Sequence, residues 1–384
     1  MRSVNVTLPS SKGTGMAGTI DFPDSPPRAF AIFAHCFAGS RHTPGAARVC
    51  KRLTSFGIAC LRFDFPGLGQ SEGDFADTSF SQNIADIGAA AQWLADNYTP
   101  PQLLIGHSLG GAASLAAASQ IKSLKAVATI GAPFDPAHSV LHYADKIGEA
   151  DQHGSVEVVL GGRKLRISRE FLEDLADTNP VDYLKKLRKP LMILHSPLDQ
   201  TVGIDNAQNI FRATRYPKSL VTLDKADHLV TRQGSAARAA DLIGAWVEQF
   251  IVPDYVPTPV GEDSARSHQA AGTKFGMVVR HNDRDVTVDR LKKDGGKGNG
   301  FTAMGLLMSA LAADTSQCIK AAARGMKLDD VVVQITHVEG NTYERRIELS
   351  GDLEAAQRKL LTEAAKSGQI ESTLTTLSIV DVIV

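Results

Sequence analysis

Between residues 28 and 250, short apolar runs take turns with helix-length stretches, and this alternation narrows the possible folds more than any other feature of the chain. "RAFAIFAH", "IACLRFDF", "QLLIGHS", "LKAVATIGAP", "KPLMILHS" and "SLVTLDKA" read as strands. Among them lie "TPGAARVCKRLTSFG", a helix ended by Gly57, then "SFSQNIADIGAAAQWLADN", the small-residue "LGGAASLAAASQI" and the amphipathic "AARAADLIGAWVEQF". Strands separated by helices join through crossovers, so the expected class is α/β, a mostly parallel sheet with helices on both faces. "SVNVTL" and "GMAGTIDF" precede this region and alternate like a hairpin.

Residues 135–185 break the rhythm with a hairpin pattern, "SVEVVLGGRKLRIS", turning at Gly161-Gly162, and a helix, "REFLEDLADT". An insertion after a central strand sits above the carboxyl ends of the strands, where ligands bind in such sheets, so it is a candidate cap. Residues 1–251 thus form the first domain. Residues 252–272, "VPDYVPTPVGEDSARSHQAAG", lack apolar periodicity and read as a linker. Residues 273–384 read as a separate α+β domain. It holds the apolar helix "FTAMGLLMSALAADTSQCIKAAARG", two strands in "DVVVQITHVEG" and "YERRIELSG", the helix "DLEAAQRKLLTEAAKSG" and a last strand, "LTTLSIVDVIV". A helix so apolar asks for burial on more than one side, as against a second subunit.

Charge and cysteine usage exclude several classes. The 384 residues carry 41 basic and 42 acidic side chains, net −1, so no field recruits nucleic acid or anionic lipid. No run approaches the roughly 18 apolar residues of a membrane helix, and the N-terminus lacks the apolar core of a signal peptide. Four widely spaced cysteines suit a reducing compartment without structural disulfides and form no metal-like cluster. The expectation is a cytoplasmic protein with no metal or organic cofactor.

In "LLIGHSLGG" a strand-like run stops at Ser108 with Gly106 and Gly110 on either side. A sharp strand-to-helix turn strains its central residue and crowds the positions two places away, where only small residues fit. It also lifts the serine hydroxyl to the top of the sheet at a helix N-terminus. Residues 1 to about 250 resemble an α/β-hydrolase, with "GHSLG" as the nucleophile elbow. The resemblance implies the chain order serine, acid, histidine. Asp199, just past the strand in "KPLMILHSPLDQTV", is then the acid, and His228, past the strand in "VTLDKADHLV", the base. Asp205, Asp224 and Asp227 do not match the acid's position, and His35, His107 and His195 do not match the base's.

The resemblance also implies an oxyanion hole of backbone N–H groups from Leu109, after the nucleophile, and Phe37, in the loop "AHCFAGS". Cys36 stands there where the family usually has glycine, and reads as a small buried hydrophobe. "FDFPGLGQSEG" reads as a turn that buttresses the site. The implied activity is a serine hydrolase acting on a small-molecule ester through an acyl-enzyme.

The last domain resembles the OsmC-like (osmotically inducible protein C and organic hydroperoxide resistance) fold through "GLLMSALAADTSQCIKAAARGMKLDDVVVQITHVEG", "RRIELSGDL" and "QRKLLTEAAKS". That family's peroxidases use two cysteines, and the matching positions here hold Asp314 and Gly368; Gly305 stands where an acidic residue is expected. The resemblance implies a homodimerisation module without its own chemistry. Two other readings stay open: a thiol-dependent hydroperoxide reductase acting through Cys318, and a non-catalytic scaffold on a hydrolase fold.

Overall fold

The initial hairpin forms as its alternation predicts. β1 (Arg2–Pro9) pairs antiparallel with β2 (Gly15–Phe22) over its whole length. From there β3 (Ala29–Ala34), α1 (Pro44–Leu53), β4 (Ile58–Phe63), α2 (Phe80–Asn97), β5 (Leu103–His107), α3 (Leu109–Ala117) and β6 (Ala126–Ile130) alternate along the chain. This computed structural model describes residues 2–24, 26–37, 39–139, 154–160, 163–252, 260–270, 274–298 and 300–376. The chain divides into two compact units, Met1–Pro259 and Val260–Val384.

In the first unit one eight-stranded sheet runs β1-β2-β4-β3-β5-β6-β9-β10, where β9 is Leu191–His195 and β10 is Lys218–Thr222. The two outer pairings, β1 with β2 and β2 with β4, are antiparallel, and all others are parallel. The chain leaves β3 toward β4 on one side and returns to β5 on the other. The strand order therefore reverses between β3 and β5, and the crevice beyond their carboxyl ends is where a ligand fits.

Each central strand feeds two cores because its side chains alternate. Phe30, Ile32 and Ala34 of β3 join Ile87 and Leu94 of α2 and Leu115 of α3. Ala29, Ala31 and Phe33 face the other way, with Val49 and Leu53 of α1 and Ile243 and Val247 of α7 (Ser235–Val247). The capping region holds β7 (Ser155–Leu160) antiparallel to β8 (Arg163–Ser168), then α4 (Arg169–Ala176). The predicted Gly161-Gly162 turn lies outside the described residues. α5 (Pro180–Lys186) precedes β9 and α6 (Asp205–Ala213) follows it.

The second unit begins inside the stretch expected to be a linker. β11 (Val260–Gln269) pairs antiparallel with β12 (Met277–Asn282), which pairs with β13 (Arg284–Val288). The correction has a simple cause: apart from Val260 at its start and the half-buried His268, the side chains of β11 lie exposed, and the strand is held by backbone hydrogen bonds that leave no apolar alternation to read. α8 (Ala303–Ala322), β14 (Lys327–Glu339), β15 (Thr342–Asp352) and α9 (Ala355–Ala364) follow where expected. Of the predicted last strand, Leu374–Thr376 belongs to a helix, α10 (Gln369–Thr376), and 377–384 lie outside the described residues. Ile319, Ala323, Leu361 and Ala365 form the small buried core of this unit.

Candidate active site

Ser108 sits at the turn between β5 and α3 with φ 55° and ψ −127°, a conformation that side-chain-bearing residues rarely adopt. Its flanking glycines are steric necessities. A Cβ on Gly106 would lie 2.4 Å from the Gly110 carbonyl oxygen and 2.5 Å from the Gly111 Cα. A Cβ on Gly110 would lie 2.2 Å from the His35 carbonyl oxygen. The second contact positions the site: with glycine there, the start of α3 packs against the end of β3 and the loop that carries Phe37.

His228 comes from the loop after β10 and Asp199 from the loop after β9. His228 Nε2 is 3.0 Å from Ser108 Oγ, and His228 Nδ1 is 2.7 Å from Asp199 Oδ2. A carboxylate only accepts, so the neutral imidazole carries its proton on Nδ1 and leaves Nε2 to accept from the serine hydroxyl. The other carboxylate oxygen of Asp199 accepts from the backbone N–H groups of Thr201 and Val202, each at 2.9 Å. Burial alone would raise the Asp199 pKa. The hydrogen bond and charge of His228, with the two backbone donors, outweigh it and hold the carboxyl below its ordinary range. Asp199 therefore stays ionised opposite the imidazole.

Three supports were not legible in the sequence. His107 Nε2 donates to the His228 carbonyl oxygen at 2.7 Å, fixing the backbone of the residue that carries the base. Burial, then the charge of His228, holds the His107 imidazole down to about 4, so it is neutral. Ser196 Oγ donates to the Ala226 carbonyl oxygen at 2.7 Å and so ties the Asp199 loop to the His228 loop. Gly131, at φ 56°, runs beside the pair: a Cβ there would lie 3.3 Å from Asp199 Oδ2 and 3.5 Å from His228 Nδ1.

The competing side chains have other partners. His195 Nε2 donates to the Val202 carbonyl oxygen. Asp227 accepts from the Thr231 and Arg232 backbones and caps its own loop, and Asp224 accepts from Thr222. Asp205 lies in the first turn of α6. The buttress expected from "FDFPGLGQSEG" is built on Asp64, which is buried and takes hydrogen bonds from the Arg41 guanidinium and the Gln70 N–H.

Phe37 and Leu109, the two expected oxyanion donors, line one cavity of about 10 Å³ with His35, Phe75 and Asn83. Leu109 opens α3, so its N–H has no acceptor within the helix. Beside that cavity the rings of Phe37, Phe75 and Phe171 stack within 5.2–5.5 Å of one another, and Phe171 belongs to α4 of the capping region. The arrangement presents a hydroxyl next to an imidazole, an ionised carboxylate behind that imidazole, and the N-terminal end of α3 near an aromatic cluster. That is the equipment of acyl transfer.

The first unit is similar to several known proteins. The Hydrolase_4 family model, described as serine aminopeptidase, S33, matches residues 25–153. The structure of the esterase domain from a Rhodothermus marinus protein is 43% identical, with a TM-score of 0.55, over 65% of this chain and 100% of that one. The human mitochondrial palmitoyl-protein thioesterase ABHD10 is 40% identical over 82 residues, 21% of this chain. That match spans about a quarter, 24%, of the relative's own length. Est1E from Butyrivibrio proteoclasticus, in a structure with ferulic acid bound, is 20% identical with a TM-score of 0.53 over 64% of this chain and 99% of that one, and shares the fold.

Proposed function

We propose a function from the premise that this chain, through its first unit, belongs to the α/β-hydrolase family and is an esterase-type serine hydrolase. The reading is hydrolysis of small carboxylic esters by Ser108, His228 and Asp199. The observation that carries it is the unbroken hydrogen-bonded path from Ser108 Oγ through the His228 ring to Asp199.

In this mechanism His228 Nε2 takes the hydroxyl proton as Ser108 Oγ attacks the acyl carbon. Asp199 stabilises the imidazolium that forms, while the N–H groups of Leu109 and Phe37 receive the oxyanion. His228 returns the proton to the leaving alcohol, an acyl-serine remains, and His228 then activates water to release the acid. Turnover of aryl and alkyl esters, measured for the wild type and for Ser108→Ala, tests the reading. We expect kcat to fall on the order of 10⁴-fold or more in the variant; retained turnover would refute it. A thioester arm belongs in the same panel, because the curated relatives with local similarity are named as thioesterases.

For the second unit we propose an OsmC-like homodimerisation module. Two features support this. The sequence resemblance aligns Asp314 and Gly368 with the family's two cysteine positions, and a Cβ on Gly368 would lie 2.3 Å from Asp314 Oδ2, so the two positions are neighbours. Asp314 accepts from the Ile370 N–H at the start of α10. The second feature is exposure. Within α8 only Thr315 and Ile319 are buried, and Phe301 and Met304 are half exposed, so the described residues of its own unit cover this apolar helix only in part. A second copy supplies that cover. Neither cysteine position holds a thiol, which weighs against peroxide reduction through Cys318.

A further inference from the structure

Cysteines separated by ten positions in the sequence meet inside the first unit. Cys50 lies on α1 and Cys60 on β4, both fully buried, and their sulfurs are 3.0 Å apart. A disulfide needs about 2.05 Å, so an approach of about 1 Å separates the pair from a bond.

The place of the pair in the fold gives a bond there a consequence. α1 begins just after the loop that carries Phe37, and Arg41 of that loop reaches Asp64, just past the end of β4. Cys50 and Cys60 join the same two elements from inside the core. Burial, then the hydrogen bond from Cys60, pushes the Cys50 thiol up, so Cys50 is protonated at neutral pH and reacts slowly.

We propose that Cys50 and Cys60 are a latent disulfide, a modification site at which two-electron oxidation by a small hydroperoxide staples α1 to β4. The hydroperoxide ROOH oxidises one thiol to a sulfenic acid and leaves as the alcohol ROH. The second sulfur attacks the first, the S–S bond forms, the S–O bond breaks, and water departs with the thiol proton. In sum, two thiols and one hydroperoxide give one disulfide, one alcohol and one water.

The test treats the full chain with hydrogen peroxide below its unfolding temperature, then denatures it, alkylates the free thiols and maps the peptides. The expected product is a Cys50–Cys60 cross-linked peptide, 2 Da lighter than the two thiol peptides, that disappears on reduction and never forms in Cys60→Ser. A short loop closed in this way raises the unfolding temperature by several degrees. Cys50 and Cys60 both alkylated after oxidation, either one cross-linked elsewhere, or oxidation that stops at sulfinic acid on Cys50 would each overturn the proposal.

Discussion

At the scale of single residues, the site depends on protonation states set by burial. Asp199 is ionised because its hydrogen bonds outweigh its burial, and we expect Asp199→Asn to reverse the imidazole's preferred tautomer. kcat should fall on the order of 10⁴-fold with KM little changed, read from steady-state ester kinetics. His107 gives a different prediction. It titrates at about 4 in the folded protein against 6.5 for the free side chain, so the unfolded chain takes up the proton first as pH falls. The stability this implies is present above about pH 6.5 and is lost as pH falls toward 4, on the order of 3 kcal/mol from this one side chain. Buried His195 shifts in the same direction. In His107→Gln the slope of unfolding free energy between pH 6.5 and 4, measured by urea titration, should become shallower than in the wild type; an unchanged slope would contradict the assignment.

At the scale of elements, the turn at Ser108 and the helix α2 make opposite predictions for the same substitution. Gly110→Ala would put a methyl against the His35 backbone, which cannot give way like a flexible side chain, so both stability and ester turnover should drop sharply. Gly88→Ala, in α2 with nothing within 4 Å of the added carbon, should instead stabilise the protein by about 0.5–1 kcal/mol, measured by denaturant titration. The elements that sequence made legible are those with an unbroken apolar run or a clear period: the strands at residues 29–34, 58–63, 103–107, 126–130 and 191–195 are buried throughout and read as continuous apolar runs. What stayed hidden has no such period. β11 is held by its backbone, and the short α5 sets just Tyr183 and Leu184 against the core. The family resemblance, the chain order and the strand-end positions together named Ser108, Asp199 and His228, and these three side chains lie on one hydrogen-bonded path. The bond from His107 to the His228 carbonyl, the Ser196 tie and the meeting of Cys50 with Cys60 arise from contacts across the fold that no local pattern encodes.

At the scale of the whole molecule, the proposed function gives chemistry to the first unit and assembly to the second. If the second unit covers its apolar helix with another copy, sedimentation of the 41.0 kDa chain should give twice that mass, and a chain ending at residue 252 should sediment as a monomer and still cleave esters. A single-chain mass for the full protein would contradict the dimer. The central claim, that Ser108 is an activated nucleophile, is tested most directly by intact mass after reaction with a serine-directed fluorophosphonate. The account predicts one adduct per chain, mapped to the peptide carrying Ser108, and none in Ser108→Ala. An unmodified chain, or an adduct on any other residue, would contradict it.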